Sequence, residues 1–274
     1  MSNIAHLDTA TLDTVAKFFR IMRKAGADFT GPMQDLNKRK NLVAYLALEC
    51  PEITAEGTTI VTIIPKGAEL ARRILGDDFI DITEVSSAYN FSYSDEQLVN
   101  FSNTLPDFDT LIWLRTNGYM LVAGPNVDIN MVDIYKINPS LYYSKFPTFD
   151  YGEVWQENDK EKFPRLDMVK AGKWLMLRKG DVPNSRASPW SNQSKLVTSP
   201  EYIPNIAKVI YGVTVYHKIR SHYLLSNFYV RTSSSNMYGN SVGVGFFGRH
   251  GICIDDKSLE DRGFGNCGVS SIRD

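Results

Sequence analysis

The sequence predicts an α+β fold: small antiparallel sheets with flanking helices and long loops, preceded by a helix-rich accessory region. Three observations carry this. Near the carboxyl end, Val242 and Val244, then Ile252 and Ile254, repeat with the two-residue period of half-buried strands. Over residues 204–220, Ile206, Val209, Ile210, Val213 and Ile219 fall on one helical stripe. Up to about residue 106, helical spacing dominates, which sets an accessory region at 1–106 and a second domain at 107–274. With 43% hydrophobic and 12% aromatic residues, 274 residues suffice for one large or two modest cores.

Taken in order, residues 11–25 form an amphipathic helix with Leu12, Val15, Phe18, Phe19 and Met22 on one side, Thr11 to cap it and Gly26 at its end. A second helix, 33–50, turns Leu36, Leu42, Tyr45 and Leu46 inward until Pro51 stops it. Residues 58–65, rich in β-branched side chains, read as a strand. Short helices follow at 68–75, ended by Gly76, and at 94–105, where Asp95 and Glu96 favour the first turn. Residues 111–114 and 119–122 flank Asn117-Gly118 and predict a β-hairpin. Residues 127–170 read as a long ordered loop, 174–178 as a strand, and 204–220 as a helix with Pro204 in its first turn.

Beyond residue 229 the parity argument sharpens. Phe247 breaks the alternation set by Val242 and Val244. An extra residue near Gly245, where a bulge is easily formed, restores the parity and turns Phe246 outward. Gly248-Arg249-His250-Gly251 is then a hairpin turn, and residues 268–273 a final short strand. Polar stretches at 232–241 and 255–267 read as long loops. Val242, Val244, Phe247, Ile252, Ile254 and Val269 form the expected scaffold.

The segments YVRTSSS (229–235), SVGVGFFGRHGICI (241–254) and GNCGVSSIRD (265–274) resemble the variable region of proteins diversified by diversity-generating retroelements, in the archaeal-type branch. The likeness extends upstream through PEYIPNIAKVIYGVTVYHKI and WLMLRKGDVPNS. It implies a C-type-lectin-like domain at 107–274 whose variable region, about 230–274, displays side chains on a constant scaffold. The strand at 174–178 is then expected to pair with the last strand, near Arg273. In this family adenines of a template are copied inaccurately. Asn-type codons keep a third-position pyrimidine, so they cannot yield the Met237, Lys257 or Glu260 seen here. They can yield Ser233, Ser234, Ser235, Tyr238, Asn240, Gly243, Phe246, His250, Cys253, Asp255, Asp256, Phe264 and Asn266, which become the expected ligand-binding set. Tyr, Phe, Ser, Asn and Gly on a rigid support also match the chemistry of antibody paratopes, in which rigid aromatic anchors sit beside adaptable polar groups.

Catalytic and metal signatures are scarce. His6, His217, His222 and His250 lack HExxH or other metal spacing. There is no P-loop and no GxSxG before a helix, and Gly243, Gly245 and Gly248 imitate a dinucleotide fingerprint without the helix it must open. Asp255, Asp256 and Asp261 suit calcium or, equally, a solvated loop. The EPN, QPD and WND triplets of calcium-dependent sugar-binding lectins are absent. No cofactor or metal is expected. The alternative is an enzyme on a formylglycine-generating-enzyme-like scaffold, although Cys253 and Cys267 lack the context of that family's cysteine pair.

A net charge of −1 gives no global reason to bind nucleic acid or membrane. The basic clusters in the two N-terminal helices read as solvated faces; a nucleic-acid adaptor role for them would predict steep salt dependence. The partner that the resemblance implies is an unknown macromolecule, a protein, and no nucleic acid or membrane insertion is expected. Cys50, Cys253 and Cys267 suit a reduced compartment. The absence of a Sec-type N-terminus or a spanning segment predicts a soluble protein, either cytoplasmic or exported by another route.

Overall fold

The computed structural model describes residues 67–143, 167–235, 239–257 and 265–273. The chain divides into units Met1–Pro65 and Lys66–Asp274, and the described residues belong to the second. The helices expected at 11–25 and 33–50 and the strand at 58–65 lie outside them.

Helix starts follow short-range polar chemistry. Helix α1 (Ala68–Leu75) runs as expected to Gly76 and leads through a 3-10 turn into strand β1 (Phe79–Ile80). Asp81 and Glu84 form a reciprocal capping box for α2 (Ile82–Tyr89), and Ser94 and Gln97 form another for α3 (Asp95–Asn103). Asn130 and Asp133 do the same for a helix introduced below.

The Asn-Gly hairpin is not formed. Asp107 accepts the Thr110 N–H at 2.9 Å and starts α4 (Phe108–Thr116), so residues 111–114 are helical. Asn117 caps the end of α4, and Gly118, at φ 72°, takes the left-handed position that helix termination favours. The same dipeptide that suits a tight hairpin thus serves as a helix stop. Strand β2 (Tyr119–Ala123) follows, buried throughout.

The region expected to be irregular contains β3 (Ile129–Asn130), α5 (Met131–Ile137), which carries the third capping box, and β4 (Met168–Val169). Next come β5 (Trp174–Arg178), a four-residue helix α6 (Trp190–Gln193), β6 (Glu201–Tyr202) and α7 (Ile206–Arg220), capped by Asn205. The carboxyl-terminal strands are β7 (Tyr229–Ser235), β8 (Ser241–Gly248), β9 (Gly251–Lys257), β10 (Cys267–Val269) and β11 (Ile272–Arg273).

The strands make a five-stranded sheet, β1-β2-β5-β11-β6, a four-stranded sheet, β10-β7-β8-β9, and the pair β3-β4. The fold is α+β, but its small sheets are not purely antiparallel, because β1 pairs with β2 and β10 with β7 in parallel. The single final strand expected at 268–273 is split. Its first part joins the four-stranded sheet and its second the five-stranded one. There Ile272 pairs with Leu177, so the pairing of strand 174–178 with the last strand is present.

Helix α7 packs against strands of both sheets, β5 on one and β7 and β8 on the other. The single stripe expected of it is too narrow a description. Ile206 and Ala207 and every residue from Val209 to Tyr216 are buried, as a helix enclosed on several sides must be. Gly212 makes this possible: a Cβ there would stand 2.6 Å from Leu177 Cδ2 and 2.9 Å from Met120 Cε. Tyr211 satisfies its buried hydroxyl by donating to the Ala123 carbonyl at 2.7 Å. One core cluster holds Ile80, Val85 and Phe101 together with Val244 and Ile254. Residues 67–106 thus share the core of those after them, and the chain divides at 65/66 instead of 106. Among the described residues no helix is long and apolar enough to cross a membrane.

Candidate functional site: the outer side of the four-stranded sheet

Three strands set the site's frame. Val230, Val244 and Ile254 lie in one row across β7, β8 and β9, and all three are buried in the core. Strand alternation sends the neighbouring rows, Tyr229–Gly245–Cys253 and Arg231–Gly243–Asp255, to the opposite face. All six scaffold residues, Val242, Val244, Phe247, Ile252, Ile254 and Val269, are completely or almost completely enclosed.

The parity break is resolved by a bulge. The β8–β9 register shifts between Gly245 and Gly248, which leaves two residues of β8 opposite one of β9. Phe247 falls inward and is 0% exposed, whereas Phe246 stands 39% exposed beside Tyr229, ring centroids 4.9 Å apart. The bulge is held by backbone: Phe246 N–H donates to Phe228 O at 3.2 Å and Phe247 N–H to Leu225 O at 3.3 Å. Gly245 permits that approach, since a Cβ on it would lie 2.0 Å from the Phe228 oxygen. Phe246 itself adopts φ 46°, a left-handed conformation that a bulky residue holds only when its surroundings impose it. Arg249 and His250 form the exposed turn that follows, with Arg249 Nε donating to His250 Nε2 at 3.0 Å.

The expected ligand-binding residues separate into groups. Ser233, Ser235, Phe246 and His250 are exposed, and Asn240, Cys253, Asp255 and Asn266 are partly so. Tyr238 and Phe264 lie outside the described residues. Asp256 pairs with Val242 through its backbone. Residues 232–235, expected in a loop, are strand. Ser234 and Gly243 are buried, contrary to the expected display role.

Ser234 is turned to structural use. Its Oγ accepts the Ile206 N–H at 2.8 Å, so it serves one of the free donors at the start of α7, and it donates to Asp167 Oδ2. Asn205 accepts the Lys208 N–H at 2.9 Å and completes that helix start. Burial pushes the Asp167 carboxyl above its ordinary value, although the Ser234 hydroxyl and the Lys208 charge pull the other way.

Gly243 is enclosed alongside its register partner Arg231, the largest of the fully buried side chains. Arg231 Nη1 donates to Gln193 Oε1 at 2.8 Å and to Ser188 O at 3.3 Å. Gln193 in turn donates to Ser185 O and Cys267 O, at 2.7 and 2.9 Å. Ser185 Oγ accepts the Val269 N–H at 3.1 Å. These contacts staple residues 185–193 to β7 and β10. Sequence reasoning missed Arg231 and Gln193, and no local signal marks them. Alternation from Val230 points Arg231 outward, and partners 38 and 43 residues away, Gln193 and Ser188, meet it there.

Cys253 and Cys267 are not joined in a disulfide. They sit at opposite ends of one row, Cys267–Tyr229–Gly245–Cys253. Three strand spacings of about 4.8 Å put them roughly 14 Å apart, well beyond the ~7 Å limit for a disulfide. Among the described residues no group of three His, Cys, Asp or Glu side chains is placed to hold a metal ion.

No family model matches the chain, and neither a curated protein nor a solved structure is significantly similar to it.

Proposed function

We propose that this chain is a ligand-binding protein that presents an adaptable surface on a constant scaffold, a variable protein of the diversity-generating-retroelement kind with a C-type-lectin-like carboxyl-terminal domain. The observation that carries the reading is the division of labour within single strands. In β8 and β9 the core-facing residues are sealed, while Phe246, Cys253 and Asp255 in those strands and His250 in the turn between them keep access to solvent. Substitution at the second set leaves the first untouched. The rigid support keeps the ordering cost of binding low.

Two further features support it. The strand at 174–178 pairs with the last strand, and Phe246 is an aromatic side chain presented at a strained bulge instead of being withdrawn from water. The partner fitted by a sheet surface that carries an aromatic anchor at one end and serine, asparagine, histidine and aspartate elsewhere along it is another protein. Ser234 and Gly243 leave the expected surface, and among the described residues it comprises Ser233, Ser235, Phe246, His250, Cys253 and Asp255, flanked by Asn240 and Asn266.

The test has two arms. DNA sequencing beside the 3′ end of the gene should find a reverse-transcriptase gene and a near-identical repeat with adenines at the codons of those six residues. A displayed library randomised at the same six positions should keep melting temperatures near that of the parent and yield binders to unrelated protein targets. A library that largely fails to fold overturns the scaffold-and-display reading. A repeat that is absent, or whose adenines fall at the scaffold codons, removes the retroelement.

A further inference from the structure

His217 occupies the last turn of α7. Its imidazole is nearly parallel to the Tyr223 ring, centroids 4.1 Å apart at 17°, and meets Phe247 edge to face at 5.0 Å. Tyr223 and Phe247 are themselves 5.0 Å apart, so the three rings close on one another. Tyr223 belongs to the segment between α7 and β7, whose Leu225 and Phe228 carbonyls hold the β8 bulge. The imidazole is thus wedged between the end of the central helix and the support of the bulge.

Its Nδ1 is buried and has no hydrogen-bond partner among the described residues. A neutral imidazole with its proton on Nε2 leaves a bare lone pair there, which aromatic walls tolerate. Protonation places an N–H, on a charged ring, at this buried nitrogen that makes no hydrogen bond among the described residues, and such a donor is costly. Two effects oppose this cost. A helix C-terminus welcomes positive charge, and the Tyr223 and Phe247 rings can attract a cation. Lys218 and Arg220 in the same last turn add like charge to the surroundings. His222 and Tyr223 in the connecting segment are the titratable neighbours. Burial decides the balance: it holds the imidazole below its ordinary value of 6.5, His222 charge acts in the same direction, and a backbone hydrogen bond with His222 opposes both.

We propose that His217 is a pH-sensitive latch on the β8 bulge: when neutral it packs Tyr223 against Phe247 and keeps Phe246 turned outward, and when protonated it loosens that packing and releases the bulge. The latch stands whether or not Phe246 contacts a ligand.

The experiment is an NMR titration of the full chain from pH 8 to 4, following the histidine imidazoles and the amides of Leu225, Phe246 and Phe247. The His217 midpoint should fall below 6.5, and the Phe246 and Phe247 amides should shift with that same midpoint. His217→Phe keeps a ring in the stack but has no proton to gain, and should abolish the amide titration. His222→Gln should leave it in place. Amides that stay still while His217 titrates overturn the proposal, and so does an amide step that survives His217→Phe or disappears in His222→Gln. Should His217→Phe fail to fold, the wild-type midpoints decide alone.

Discussion

Three consecutive serines show how much one residue's position matters. Ser233 and Ser235 are exposed in β7, whereas Ser234 between them links the start of α7 to Asp167. Ser233→Ala and Ser235→Ala should therefore change unfolding free energy by no more than about 0.5 kcal/mol. Ser234→Ala strips a buried helix donor of its acceptor and should cost about 1–2 kcal/mol. Ile254→Ala, which opens a cavity in the sealed core, should cost about 2–5 kcal/mol. Urea denaturation of the four variants checks the order, and equal sensitivity of the three serines would refute it. A period-two reading correctly places the valines and isoleucines, because each needs only its own strand's parity. Ser234 shares the parity of Val230, but a reading that ends the strand at residue 231 and puts 232–241 in a loop does not carry the period to it, and its partners stand 28 and 67 positions away.

Among the elements, the α4–β2 junction shows two local rules competing for one dipeptide. Asn117-Gly118 satisfies both a hairpin turn and a helix end, and the Asp107 cap ten residues earlier tips the segment to helix. Gly118 sits at φ 72°, and a methyl group added to its Cα would meet no neighbouring heavy atom within 4 Å, so its requirement is conformational and not steric. Gly118→Ala should cost about 1–2 kcal/mol, and Gly118→Asn less, because asparagine tolerates the left-handed region. Equilibrium unfolding of both variants decides this. An alanine variant as stable as the parent would show that the backbone there can relax. The bulge in β8 is the opposite case. Parity called for an extra residue before Phe247, and the missing Cβ of Gly245 gave it a place.

At the scale of the molecule, Arg220 ties the end of the central helix to the residues that precede it in the fold. Nη1 donates to Glu84 Oε1 at 2.7 Å, Nε to Asp77 O at 2.9 Å and Nη2 to Phe79 O at 2.8 Å. Arg72 Nη2 reaches Glu84 Oε2 at 3.2 Å. Burial pushes the Glu84 carboxyl up, but hydrogen bonds from Arg220, the Asp81 N–H and Arg72 outweigh it and hold it below its ordinary 4.5. A depressed carboxylate stabilises the fold above its unfolded value, and that stabilisation is lost as pH falls through the folded one. Glu84→Gln should therefore be less stable than the parent at pH 7, by about 1–3 kcal/mol, and the two should converge at acid pH. Thermal melts from pH 7 to 3 read this directly. Parallel curves would show that the pair carries none of the acid sensitivity.

What the sequence determined by itself was local in origin. Strand parity fixed which of Val242, Val244, Phe247, Ile252 and Ile254 face the core, and the bulge followed from it. The α+β class and the central helix at 204–220 followed from hydrophobic spacing. The tertiary structure decided the rest: the parallel pairing of β10 with β7, the division of the last strand between two sheets, the enclosure of Ser234, Gly243 and Arg231, and the inclusion of residues 67–106 in the common core. Periodicity reports only which side of an element is apolar. Which distant segment covers the other side depends on hydrogen bonds and packing between residues far apart in the chain, and no local pattern encodes them.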